Sequence, residues 1–439
     1  RCDTHVHTFT PRRHGDATME ERLRTVAGEG IELPIATDHD YLADYSEPSV
    51  KMNVAGHFTP VVGCEVTTAK GHFNVFPVTL GSRVPDFRIT DWPGLMQSIR
   101  STPGVRVVVL NHPRNIHSNF QPFAATNFNA ITGENWRGFD FSFDAIEVVN
   151  SSALQSDSTL GWRDWFALLN YGYRVTAVGS SDCHDVNRYI IGQGRSYVAC
   201  NDSDPAKINV EEACQSFLKG RVLVSLGLLT QMTVNGRFCV GDLATGLGDK
   251  IQVEATVSGP LWTSADRVEL FANGLKIREQ QIPSPQEAKG LSRAAHEKAR
   301  IIWEIDRPAH DAHFVALASG PAVTAPYWAI ARPYQPSSPV WKPRVIGLTN
   351  PIWVDADGDG KFTPARDYAK TLLQRTGADP AQVLPDLASH DEAVAAQAAS
   401  LCQAEGCDIR SPEFNRLLEN ASPAVQRGFA AFAGTLQAK

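Results

Sequence analysis

At 439 residues, 43% of them hydrophobic and 20% charged, the chain is long and apolar enough for two or three packed domains, which excludes a disordered or fibrous protein. A net charge of −7 and a pI near 6.0, with no block of lysine or arginine, exclude a dedicated nucleic-acid binder that works by counterion release. No apolar run reaches the length of a bilayer span, so the expected partner is a small-molecule substrate.

The chain opens on Arg1 rather than methionine, which reads as a removed export signal or a shortened chain and favours export to the periplasm or outside the cell. The eight cysteines form no CxxC pair. Cys402 and Cys407 flank a short turn that a disulfide could close, whereas Cys64, Cys200 and Cys214 read as small buried hydrophobes.

In chain order, a strand from Cys2 to His7 precedes a helix from Thr18 to Ala27 that Gly28 or Gly30 ends. Short apolar runs follow at Leu33–Thr37, Pro60–Val66, Val107–Leu110, Ala145–Val149 and Val175–Val178, with helical patterns at Trp92–Ile99 and Leu160–Leu169. Alternation of this kind predicts a mostly parallel sheet or barrel, with its chemistry at the carboxyl ends of the strands. After a helix over Val210–Leu218, alternating segments at Gln231–Val234, Ile251–Val257, Val268–Phe271 and Phe314–Ala318 predict a β-sandwich. Pro333–Pro343 reads as an extended connector. From Ala378 the pattern is helical, with Pro380, Pro385, Pro412 and Pro423 marking segment starts. The expected division is 1–225, 226–350 and 351–439.

Of the thirteen histidines, those at 5, 7, 14, 39, 57, 72, 112, 117 and 184 crowd into less than half of the chain, most beside a carboxylate or glycine at a strand end. His5 and His7 point to the same face of a strand and can reach one ion, and Asp182 and His184 share that spacing. In Thr37-Asp38-His39-Asp40 a histidine follows an apolar strand with acidic neighbours suited to orient it. Glu65, at the mouth of a buried run, is costly to desolvate unless it meets a cation. His72 and His112 sit at the ends of further runs. Imidazole and carboxylate without thiolate suits Mn, Zn or Fe, and neighbouring ions commonly generate a bridging hydroxide for hydrolysis.

His5-Val6-His7-Thr8, Thr37-Asp38-His39-Asp40, Gly63-Cys64-Glu65, Gly71-His72, Asn111-His112-Pro113 and Ser181-Asp182-Cys183-His184 resemble, in order, the motifs of the PHP (polymerase and histidinol phosphatase) superfamily. Gly71-His72-Phe73-Asn74-Val75-Phe76-Pro77, the strand Ile146–Asn150 and the following sandwich are most similar to its CehA/McbA branch, over about residues 1 to 350. The resemblance implies a distorted (βα)7-type barrel with two or three divalent ions at the strand ends. His5, His7, Glu65 and Asp182 would hold one ion, Glu65, His72 and His112 a second, and Asp16, His39 and His184 a third. Because Pro11-Arg12-Arg13-His14-Gly15 lengthens the loop, His14 competes with Asp16.

Arg114 and Arg195 could hold an anionic leaving group through forked hydrogen bonds. Glu147 and Asn150, three apart on a strand, are candidate pocket residues. Asp355, Asp357 and Asp359 alternate like the start of a calcium loop, but Arg366 stands where such a loop needs a bidentate glutamate, so no ion is assigned there. The leading expectation is a metal-bound hydroxide attacking a small phosphate ester, with Glu65 bridging ions. Its rivals are the same machinery cleaving a carbamate, ester or amide, and a non-catalytic binding protein with a structural metal site.

Overall fold

A computed structural model describes residues 1–9, 14–114, 121–153, 157–283, 296–324, 328–332 and 341–436. Residues 11–13 of the lengthened loop, His117 and the connector over 333–340 lie outside the described residues.

The first part of the chain alternates strands and helices. In order these are β1 (Cys2–Val6), α1 (Met19–Gly28), β2 (Leu33–Ala36), α2 (Ser46–Lys51), β3 (Val61–Val62), β4 (Cys64–Thr68), β5 (Gly71–Phe76) and α3 (Trp92–Ser101). There follow β6 (Val107–Leu110), β7 (Ala145–Asn150), α4 (Thr159–Tyr171), β8 (Thr176–Ser180), β9 (Gly194–Val198), α5 (Val210–Leu218) and β10 (Val222–Leu226). A reciprocal capping box between Thr18 and Glu21 starts α1 and satisfies two of its free amide groups. Gly172, at φ 118°, ends α4 in the left-handed region that glycine adopts without strain.

The architecture is mixed α/β, with curled sheets and helices at the C-terminal end. The expected single run Pro60–Val66 breaks at Gly63 into β3, parallel to β2, and β4, antiparallel to β5. A Cβ at Gly63 would lie 2.9 Å from both Ile35 Cγ2 and Val75 O, so only glycine lets the chain pass from one sheet to the other. The second sheet has the order β4-β5-β6-β7-β8. Its β6, β7 and β8 are parallel as predicted, whereas β5 is antiparallel to both neighbours. The first sheet also departs from the parallel expectation, because β9 runs antiparallel to β1 and β10. The two sheets meet at isolated parallel bridges, His39 with Glu65 and Val6 with Cys183.

The later strands are β11 (Leu229–Val234), β12 (Leu243–Ala244), β13 (Lys250–Ser258), β14 (Arg267–Ala272), β15 (Leu275–Gln281), β16 (Glu297–Asp306), β17 (Ala312–Pro321), β18 (Arg344–Thr349) and β19 (Ile352–Val354). They form two layers. One is the sheet β11-β13-β16, whose buried Ile251, Val253, Ala255 and Val257 join the same core as Phe314, Ala316 and Ala318 of the other. That other layer continues the first sheet, since β10 pairs with β9 on one side and β18 on the other. The hydrogen-bonded ladder therefore crosses the expected division at residue 225. Phe166 of α4 packs on Phe271 of β14 with centroids 5.4 Å apart, adding a second link.

The C-terminal helices are α6 (Ala365–Thr376), α7 (Pro380–Asp386), α8 (Glu392–Ala404), α9 (Pro412–Leu418) and α10 (Pro423–Thr435), built around their own core of Leu372, Val394, Phe414 and Phe429. The helical region begins before the predicted Ala378. Pro380, Pro412 and Pro423 open helices, but Pro385 lies inside α7. All eight cysteines are free, Cys402 and Cys407 included. No helix among the described residues is long and apolar enough to cross a membrane.

Truncation after Gly220 removes β10, the strand that joins the two halves of the sheet, and exposes the apolar faces under Leu226 and Phe271. The fragment is expected to be insoluble or molten by near-ultraviolet circular dichroism. A soluble fragment with native dichroism would show that the first half folds alone.

Candidate metal centre

The seam between the two sheets gathers the candidate ligands. β1 contributes His5, with His7 one residue past its end, His39 follows β2, β4 contributes Glu65, and β5 contributes His72. His112 follows β6, and Asp182 and His184 follow β8. His112 (φ 23°) and Asp182 (φ 51°) adopt left-handed backbone, a conformation that costs roughly 1–3 kcal/mol each and persists where neighbours enforce it.

Glu65 lies at the middle, fully buried. Its Oε2 is 2.8 Å from His39 Nδ1 and 3.5 Å from His7 Nε2. Its Oε1 is 3.0 Å from His72 Nδ1, 3.4 Å from His5 Nε2 and 3.5 Å from His112 Nε2. Asp182 Oδ1 stands 3.2 Å from His7 Nε2 and 3.3 Å from His5 Nε2. Overlapping groups of these residues, His5/His7/Glu65, Glu65/His72/His112 and His7/His39/His184, could each hold a metal ion.

The donor chemistry fits divalent ions. His5 Nδ1 is 2.7 Å from Glu147 Oε1, while its Nε2, buried with no hydrogen-bond partner, faces Glu65 and Asp182. One imidazole nitrogen held by a carboxylate and the other turned to a buried oxygen set is the arrangement of a metal-ligating histidine, and loss of such a carboxylate typically costs about 10–100-fold in metal affinity.

Burial pushes Glu65 towards its neutral form, but His39, His5 and His72 overcome it and hold the carboxyl well below its usual range. Asp182 is lowered in the same way, against burial, by His5, His7 and His184. The histidines divide. Burial opposes a charge on His5, yet Asp182, Glu147 and Glu65 raise it well above the ordinary value. Burial, with His184 and His39 beside it, drives His7 well below.

Several predicted site residues take roles other than expected. Glu147 accepts from Ser180 Oγ (2.6 Å), His112 N (2.8 Å) and Asn150 Nδ2 (2.9 Å) besides meeting His5, so it holds several groups in place, and with His5 and His112 it forms a further group that could hold an ion. Asn150 Nδ2 also donates to Asp182 Oδ2 at 3.2 Å, and both residues are therefore positioning groups. Arg114 forks onto buried Asp164 at 2.5 and 2.8 Å, so much of its donor capacity is committed within the chain. The pair lines a cavity of about 40 Å³ together with His112, Glu147 and Asn150. Arg195 does not face the cluster; its guanidinium bonds Gly192 O and Glu29 O and lies 3.5 Å from the Glu29 carboxylate.

Asp16 is exposed and reaches the cluster through its backbone, whose N–H donates to His184 O. His14 stands beside two of the cluster's rings, with Nδ1 2.5 Å from His39 Nε2 and 3.2 Å from His184 Nε2. Burial and these neighbours lower His14 to about 4.

No known protein family matches this chain, and no curated protein matches it.

Residues that no motif announced complete the support. Thr8 N and Oγ1 donate to buried Asp38, fixing the end of β1, and burial raises that carboxyl to about 6. Asn111 Nδ2 donates to Glu65 Oε1 at 3.1 Å. Fully buried Arg22 donates through Nε to His7 O at 2.8 Å and through Nη2 to Cys183 O at 2.9 Å, clamping both sides of the seam. Elsewhere, Asp311 joins Asp355 and Asp357 in an acidic group, but Asp355 already accepts Gly358 N and Asp311 accepts Thr363 N, as in a clasped turn.

His5, His39 and His112 are raised above the ordinary imidazole value, which favours their protonated forms in the metal-free protein. A divalent ion needs these rings neutral. Its uptake at pH 7 should release roughly one or more protons per chain, shrinking as pH rises through the raised values. Calorimetric titration in buffers of different ionisation enthalpy measures this, and uptake without buffer dependence would contradict the assignment.

Proposed function

We propose that this chain is a metal-dependent hydrolase of the PHP superfamily type, near its CehA/McbA branch, acting on small phosphate esters. Two or three Mn, Zn or Fe ions would sit at the strand ends of a distorted seven-stranded barrel. One observation carries the reading: the imidazoles of His5, His7, His14, His39, His72, His112 and His184 crowd around three buried carboxylates, Glu65, Asp182 and, on the Nδ1 side of His5, Glu147. Such a shell offsets less positive charge than two dications bring, and a centre left net positive suits an anionic phosphoryl group.

In this reading His5, His7, Glu65 and Asp182 hold one ion, and Glu65, His72 and His112 a second. His39 and His184 hold a third, with His14 in place of Asp16. Bound there, the ions would supply Lewis acidity and a water-derived nucleophile. The chain's own contribution is positional. Glu147 fixes the His5 ring, Asn111 and Asn150 turn Glu65 and Asp182 towards the centre, and Arg22 holds the two strand ends at their spacing. Pro113, Val148 and Gly161 wall part of the adjoining cavity.

A second reading, hydrolysis of carbamates, esters or amides, has its own supporting observation. The Arg114–Asp164 pair beside the centre is neutral as a unit, which suits an uncharged substrate group.

Ion-loaded protein assayed on p-nitrophenyl phosphate, an aryl carbamate and an aryl acetate separates these readings. Metal-dependent phosphate turnover is expected, with Glu65→Ala losing both turnover and bound metal. Carbamate or ester turnover alone would select the second reading. Full metal content and rate in Glu65→Ala would overturn both.

A further inference from the structure

Along the outer side of α1, the segment 186–191 and residues 329 and 331 border a cleft of about 610 Å³. Three arginines line it, Arg22, Arg24 and Arg188. The acid in its wall, Glu29, lies 3.5 Å from Arg195 Nη2, so its charge is offset by a guanidinium outside the cleft lining. Neighbouring Asp185 turns its Oδ1 to the amides of Asn187, Arg188 and Tyr189. The cleft is thus locally basic in a chain whose net charge is −7.

Arg22 is the unusual member. Its side chain is fully buried, its hydrogen bonds go to the neutral carbonyls of His7, Cys183 and Asp185, and its Nη1 has no partner. Among the described residues Arg22 makes no hydrogen bond to a carboxylate, although buried Asp38 feels its charge, and a further anion held close by adds to that offset. The remaining wall is mostly apolar, with Val186, Ile190, Ile191, Ala329 and Ala331, and Thr25 and Asn187 are its other polar members.

We infer that this cleft binds a small organic anion, a carboxylate or phosphate carried on an apolar body, at a site separate from the metal centre. Arg24 and Arg188 reach the anionic group with forked hydrogen bonds. Arg22 adds its charge across the wall, and the apolar body lies on Ile190, Ile191 and the alanines.

The test is calorimetric titration of the full chain with phenyl phosphate and phenylacetate, with benzyl alcohol as the neutral control. Each is repeated with chelator present and with the variant Arg24→Ser/Arg188→Ser, whose fold is checked by circular dichroism. Both anions should bind, the alcohol at least about tenfold more weakly, and the double variant should lose about tenfold or more in affinity while chelator leaves binding in place. Arg24→Ser and Arg188→Ser singly, each weakening the anions, carry the test if the double variant does not fold. Unchanged affinity in the variants, or equal binding of the alcohol, would overturn the inference. Loss of binding on chelation would do so too, by placing the anion at the metal centre. No hydrolysis is measured, so the result stands apart from the proposed activity.

Discussion

Glu65 and Asp182 are carboxylates taken out of water, and their burial must be balanced by positive charge nearby. Imidazoles supply that balance only by holding protons, which burial itself resists. The compromise is visible in neighbouring rings of one strand: His5 is raised by three carboxylates, whereas His7, facing His184 and His39, is driven low. The surroundings thereby favour the neutral form at some rings and the protonated form at others. A divalent ion would relieve the whole set at once, replacing protons with a charge that the buried oxygens and the neutral rings can both accept.

The same balance explains why the seam between the sheets is so heavily braced. Asp3 accepts from His5 N, Ser181 N and Gly192 N, tying the start of β1 to the segments on either side of it. Arg22 draws the carbonyls of His7 and Cys183 together from below, and Asp38 holds Thr8 from the side. The bonds at Ser181 and Cys183 flank Asp182 and help hold its left-handed backbone, and Glu147, accepting His112 N, does the same for His112. Rigidity at the strand ends is what lets several ligands from distant parts of the chain converge within a few ångströms.

Local pattern made the strands and most ligands readable. Short apolar runs mark β2, β6, β7 and β8, and one-residue spacing puts His5 with His7 on one face. What local pattern does not encode is the partner across a ladder. Gly63 looks like an ordinary residue within an apolar run, yet it is where the chain changes sheets, and β10 gives no sign that it will pair with a strand more than a hundred residues later. The same limit applies to side chains. Arg114 next to His112 suggests a substrate contact until α4 brings Asp164 against it, and Glu147, which does line the adjoining cavity, also receives four donors from different elements that no local pattern announces. Asp16 and His14 differ in a way spacing does not show: His14 Nδ1 meets the rings of His39 and His184, whereas Asp16 meets His184 only through its backbone N–H.

Anomalous diffraction from crystals of the ion-loaded protein, recorded above and below the absorption edge of the bound metal, tests the central claim most directly. The account predicts peaks among His5, His7, Glu65 and Asp182 and among Glu65, His72 and His112, with Glu65 shared between them. A single peak that does not touch Glu65, or ions found only away from this seam, would contradict it.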